Sequence, residues 1–263
     1  MLIRLTEVLR DIARGGLAGA FTGFLVGGLG GRVVMSVAAV LNPDATGFRT
    51  ENGELIGAFT LNGTLALMLF GGLGGGIVLG LLWVIAQPWL PAAPKRRILI
   101  AMPMTVGLVG MLLVRSTNTD FSLLDREPAI IAMFLALIAF AGAAVAWLDA
   151  RLDARMPRAG SRAWPLLIVY GAIGVAGLAF LPTVANLYLT SDGCGCATPP
   201  VLMGWALVGV GGVTLVWWIL RISRSRTEPP AALVTAGGIG LLAATGLGTV
   251  QLANDALRIL GLD

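Results

Sequence analysis

The 263-residue chain is 57% hydrophobic and only 12% charged, with a mean hydropathy of +0.87 and a formal net charge of +4. A soluble domain carries about 25% charged residues, so half the charge that water would require is missing, and lipid is the expected solvent. The basic excess follows loop placement and no aromatic–basic interleaving lies outside the apolar stretches, which excludes nucleic acid as a partner.

Histidine is absent, which removes the commonest general base and metal ligand and any histidine-ligated metal or haem. The two cysteines, Cys194 and Cys196, are too few for a disulfide framework.

Residues 1–14 mix Arg4, Arg10 and Arg14 with Glu7 and Asp11, and no apolar core precedes Ala18-Gly19-Ala20, so no cleaved signal is expected. Leu2, Leu5, Leu9 and Ile12 recur at helical spacing and predict a short amphipathic helix lying in the cytoplasmic headgroup layer. A membrane-crossing helix needs about 20 apolar residues and must satisfy its own backbone. Seven stretches qualify, at approximately 16–41, 59–85, 98–114, 128–148, 165–188, 201–220 and 231–252. Pro103 and Pro182 mark a kink in the third and a kink or early stop in the fifth. Beyond the fourth span, Asp149 with Asp153 and Arg151 with Arg155 place like charges four apart. Such pairs repel slightly on a helix, so any extension before Pro157 is expected to be short and the connection to Arg162 solvated.

Orientation follows from basic residues. With the N-terminus cytoplasmic, thirteen of eighteen Lys and Arg fall inside, while Asp44, Glu51, Glu54, Asp120, Asp125, Glu127 and Asp192 fall outside. Trp83, Trp89, Trp147, Trp164, Trp217 and Trp218 then flank the cytoplasmic ends, as an interfacial belt would. Asn52-Gly53 within the outer loop 42–57 is a turn signal for a small β-hairpin.

Glycine supplies the strongest pattern. Gly15, Gly19, Gly23, Gly27 and Gly31 recur every fourth residue in the first span, a glycine zipper, and Gly72, Gly76 and Gly80 answer in the second. The string Gly-Gly-Leu-Gly-Gly occurs in both, at 27–31 and 71–75. Bare backbones can approach closely, so helix packing is the preferred reading; a mobile helix pair or a groove for a flat ligand is the other. Arg32 lies in the outer half of the first span, where a cation at the bilayer centre would cost about 2.5–3.5 kcal/mol. Pairing with Asp44, Glu51 or Glu54 is the preferred structural reading. The functional one is a polar outer vestibule formed by Arg32 with Asn62 and Thr64 of the second span and Gln251, Asn254 and Asp255 of the last. Cys194 and Cys196, two apart in an outer loop, could form a labile disulfide or hold a soft metal.

No Asp, Glu, His or Lys lies deep in any span, which disfavours a proton relay. A retinal Schiff base needs a lysine in the last span, whereas the only lysine is Lys95, in a loop. The sequence therefore predicts an all-α integral membrane protein: a single domain of about seven transmembrane helices, N-terminus cytoplasmic and C-terminus extracytoplasmic, in a bacterial-type plasma membrane. The function it points to is non-enzymatic, an accessory or scaffold subunit touching membrane lipids or a hydrophobic cofactor and other membrane chains or copies of itself. A small-solute transporter or channel with a vestibule near Arg32 is the alternative. An intramembrane enzyme is the weakest class, because no nucleophile–base pair or metal constellation can be assembled.

Overall fold

A computed structural model describes residues 1–45, 47–48, 60–118, 121, 124, 126–160, 163–190, 199–224 and 228–262, and every regular element among them is helical. Seven helices are long and apolar enough to cross a membrane. They are α1 Leu2–Leu41, α2 Leu61–Trp89, α3 Pro94–Leu113, α4 Glu127–Arg155, α5 Ala163–Leu189, α6 Val201–Arg224 and α7 Ala231–Ile259. The chain is a multi-pass membrane protein. The predicted hairpin falls mostly on residues outside the described ones; of that loop, Pro43–Ala45 forms a single 3₁₀ turn.

Local chemistry explains the helix ends. Thr60 caps α2, its hydroxyl accepting the Gly63 N–H at 3.1 Å. Pro94 and Pro128 sit in the first turns of α3 and α4, where a missing N–H costs nothing. Pro103 is carried inside α3 without ending it. The helix α5 is interrupted at residues 179–180 and restarts at Leu181 with Pro182 in its first turn, the break that proline predicts.

Three expectations change. The boundary drawn at Arg14 does not appear, because Leu2–Leu41 is helical throughout. Its apolar stripe meets protein: a Cβ built on Gly171 or Gly174 of α5 would touch Leu9 Cδ1 at 3.9 Å or Ile12 Cγ2 at 3.7 Å. Second, α4 runs on to Arg155 and stops only at Met156, whose extended backbone suits the residue before Pro157. The two aspartates of that like-charge pattern are matched by cations from other helices, described below. Third, Trp83, Trp89 and Trp217 are core residues, 1%, 8% and 5% exposed, instead of members of an interfacial belt. Small partners make room for them, as at Gly237, where a Cβ would strike the Trp89 indole.

Within the bundle, α1 packs on α2, α4 and α5; α3 lies between α4 and α7; and α6 contacts α7, α5 and α2. Small residues permit the tightest crossings. A Cβ on Gly142 of α4 would lie 2.5 Å from the Ala101 carbonyl of α3, and one on Gly107 of α3 would lie 2.7 Å from the Thr245 carbonyl of α7. Buried polar groups fix register: the Trp89 indole N–H donates to Thr214 Oγ1 at 2.9 Å, and the one hydroxyl proton of Thr214 has the Ile85 carbonyl of α2 within reach at 2.8 Å, besides that of Val210 in its own helix. The Tyr188 hydroxyl, in the second segment of α5, donates to the Leu108 carbonyl of α3 at 2.9 Å. Tyr188→Phe is expected to lower stability by about 1 kcal/mol, the net value of one such bond, in a detergent unfolding series. The ring, 3% exposed, should keep its packing.

Candidate functional site

The densest polar arrangement lies at the end of the bundle that carries the N-terminus. On α1, Arg10, Asp11 and Arg14 lie within little more than one turn. On α4, Asp149 and Asp153 are four apart and therefore share a face. Arg14 reaches out with all three guanidinium nitrogens. Its Nε donates to Asp149 Oδ1 at 2.7 Å, its Nη1 to Asp153 Oδ1, and its Nη2 to Gln87 Oε1 of α2 at 2.8 Å. Arg10 donates from Nη1 to Asp153 Oδ1 at 2.9 Å and from Nη2 to the Asp153 carbonyl at 2.6 Å. Arg97, at the start of α3, completes Asp149 through Oδ2 at 3.4 Å, and Arg221, at the end of α6, pairs with Asp11. Four guanidinium groups thus meet three carboxylates drawn from four helices.

Burial makes this arrangement consequential. Asp149 is fully buried and Arg10 is 2% exposed, and a charge removed from water survives only when paired and hydrogen-bonded. The fork geometry of arginine suits such multi-helix bonding, since its donors lie fixed in one plane. The connection from α4 to α5, expected to be solvated, is held against α1. Arg10 Nε donates to the Met156 carbonyl at 3.3 Å, and the Ala159 N–H donates to Glu7. Chemically the cluster is a clamp: it joins spans that the lipid alone would leave free to slide.

The second arrangement is glycine-rich. Residues Gly23–Gly30 of α1 and Leu67–Gly74 of α2 are both π-helical, pack on one another, and both end in Gly-Gly-Leu-Gly. A π turn closes i→i+5 bonds and is rare beyond a single turn. Two such stretches side by side are a distinctive local geometry. The helices are antiparallel here. A Cβ on Gly76 would lie 2.7 Å from the Gly19 carbonyl and 2.8 Å from Gly23 Cα, and one on Gly72 would lie 2.9 Å from Gly28 Cα. A Cβ on Gly80 would meet Gly16 at 3.0–3.2 Å. Of the predicted glycines, Gly19, Gly23, Gly72, Gly76 and Gly80 are brought together. Gly27 is looser, with Gly72 Cα at 3.4 Å, and Gly31 meets only the tip of Leu67 at 3.8 Å. The wider π turn rotates the face, so that Gly28 takes the position that four-residue spacing assigns to Gly27.

Of the residues predicted to line an outer vestibule, Gln251 and Asp255 meet each other. On α7, Gln251 Nε2 donates to Asp255 Oδ2 at 2.9 Å, and Ser116, just beyond α3, donates from Oγ to Asp255 Oδ1 at 2.7 Å. Asn254 is exposed beside them. On α2, Asn62 is exposed and the Thr64 hydroxyl donates to the Thr60 carbonyl at 2.9 Å. Arg32 is half-buried, and its carbonyl accepts from Ser36 Oγ at 2.7 Å. Of its expected partners, Asp44 is exposed, while Glu51 and Glu54 lie outside the described residues, as do Cys194 and Cys196. Sequence reasoning missed Arg10, Asp11, Arg14, Gln87, Arg97, Asp149, Asp153 and Arg221 as one site. The signal was present, as two arginines four apart on one helix and two aspartates four apart on another.

Fold and site define a helical membrane protein whose seven long apolar helices are clamped by charge at one end, with α1 and α2 joined by bare backbone. Compared with family models, curated proteins and solved structures, the chain matches none.

Proposed function

We propose that the chain is a non-enzymatic scaffold or accessory subunit of a bacterial-type plasma membrane, with its N-terminal, clamped end in the cytoplasm and its C-terminus outside. The excess of Lys and Arg at that end supports this orientation. The observation that carries the subunit reading is the outward face of α7. Ala232, Ala236, Ala243, Gly246 and Ala253 are all exposed along one stripe, with Ile239 and Val250 filling its remaining steps. In lipid, small-residue stripes are where helices associate, and this one faces away from the bundle. Burial agrees: only 17% of the most apolar window of α5 and 22% of that of α7 are covered within the chain. The uncovered surface suits lipid, a hydrophobic cofactor, other membrane chains or a second copy.

The test is extraction at native expression in mild detergent. A stoichiometric assembly is expected, and Ala243→Leu with Gly246→Leu should dissolve it while leaving the unfolding midpoint near that of wild type. A monodisperse, partner-free monomer would remove the reading. The paired π-helical segments favour a second reading, a small-solute transporter or channel in which α1 and α2 move against each other. That reading requires solute flux in proteoliposomes that Arg32→Ala alters.

A further inference from the structure

A groove of about 410 Å³ opens between α1, the start of α3 and α4. Its walls are Phe21 and Leu25 of α1, Ile98 of α3, and Phe140, Ala144 and Trp147 of α4. Thr22 Oγ1, buried and with no hydrogen-bond partner among the described residues, lies in its wall. From Phe140 to Leu148 the groove follows α4 for about 12 Å at helical rise. It begins at the clamped end of the bundle and descends into the apolar span.

The mouth is cationic. The Arg151 guanidinium lies over the Trp147 ring, 4.9 Å from its centroid, so a positive charge sits directly on the groove wall. Lys95 stands one turn before Ile98 and shares its side of α3, and both Lys95 and Arg151 are exposed. The acidic residues of α4 do not neutralise this rim. Asp149 is fully buried and Asp153 is bonded to Arg10 and Arg14, on a face of the helix turned away from Arg151. An apolar slot in the span, with two cations where the headgroup layer would lie, complements one kind of molecule.

We infer that this groove binds one anionic glycerophospholipid, an acyl chain along Phe21, Leu25, Phe140 and Ala144 and the phosphate between Lys95 and Arg151. The inference rests on the lipid-contact part of the reading above and names the lipid class and the place. Basic residues near a membrane surface favour anionic headgroups, whereas the slot alone would accept any acyl chain.

The experiment is native mass spectrometry of the full chain, delipidated and then incubated with phosphatidylglycerol or phosphatidylcholine of identical acyl chains. One phosphatidylglycerol per chain should be retained with a preference of about tenfold or more over phosphatidylcholine. In Lys95→Gln/Arg151→Gln the preference should collapse while weak retention of both lipids persists. Ala144→Phe, which fills the slot, should abolish retention of both. Equal retention of the two lipids by wild type, or a preference unchanged in the double variant, overturns the assignment. Should Ala144→Phe fail to fold, the exposed double variant decides alone. A chain that stays monomeric yet keeps its anionic lipid sinks the subunit reading and leaves this one standing. An assembly that retains both lipids alike does the reverse.

Discussion

Asp149→Leu is expected to destabilise the bundle by about 3–5 kcal/mol, the cost of breaking a buried ion pair from one side. The carboxylate is fully buried and accepts from Arg14 of α1 and Arg97 of α3. Removing it leaves Arg14 Nε without that acceptor and Arg97, among the described residues, with the Pro91 carbonyl, 3.0 Å from its Nε. Arg14→Met should cost a similar amount for the complementary reason. The double variant should lose clearly less than the sum, because neither Arg14 nor Asp149 then faces an empty partner, and only the loss at Arg97 remains from the Asp149 change. Asp153→Asn should cost less than either single change, since the Asp153 side chain is 41% exposed and water can replace part of what it loses. Denaturation in a graded detergent series reads all four. The Asp149 effect should persist at high salt, because a buried pair is screened little. An Asp149→Leu variant that unfolds with wild type would show that the clamp contributes nothing to stability.

The spans were legible because lipid imposes a simple rule: length and continuous apolarity suffice, and no tertiary partner is needed to recognise them. What was not legible was which charges meet. Asp149 and Asp153, considered on their own helix, repel each other and argue for an end to it. Against Arg10 and Arg14, spaced alike on α1, the same spacing becomes a matched pair of faces. Nothing in the local sequence says that residues 135 positions apart will oppose each other. The tryptophans illustrate the same limit. Trp89 lies where an interfacial residue would, but its burial depends on a gap at Gly237, 148 residues later, and on the Thr214 hydroxyl that takes its N–H. The glycine pattern was visible and its phase was not, because four-residue spacing presumes an α-helix. In α1 the face turns within Gly23–Gly30, bringing Gly28 to the contact and leaving Gly31 at its margin.

That phase gives the second large effect. Gly76→Leu is expected to cost about 3 kcal/mol or more, at or above the upper end for overpacking, and in cells to lower the folded yield severalfold. The new Cβ would lie 2.7 Å from the Gly19 carbonyl and 2.8 Å from Gly23 Cα. Both are backbone atoms, so no side chain can rotate aside; α1 and α2 must separate along the whole crossing. Gly75, one residue earlier, meets nothing within 4 Å. Gly75→Ala should therefore be neutral or stabilising by up to about 1 kcal/mol, because alanine restricts the unfolded chain and favours helix. Neighbouring glycines in a single low-complexity run thus make opposite predictions. If composition alone governed this segment, as a merely flexible glycine tract would require, Gly75→Leu and Gly76→Leu would behave alike. A wide gap between their unfolding midpoints would locate the contact at the residues that turn toward α1. It would also make the facing of individual glycines, instead of glycine content, the property that joins the first two spans.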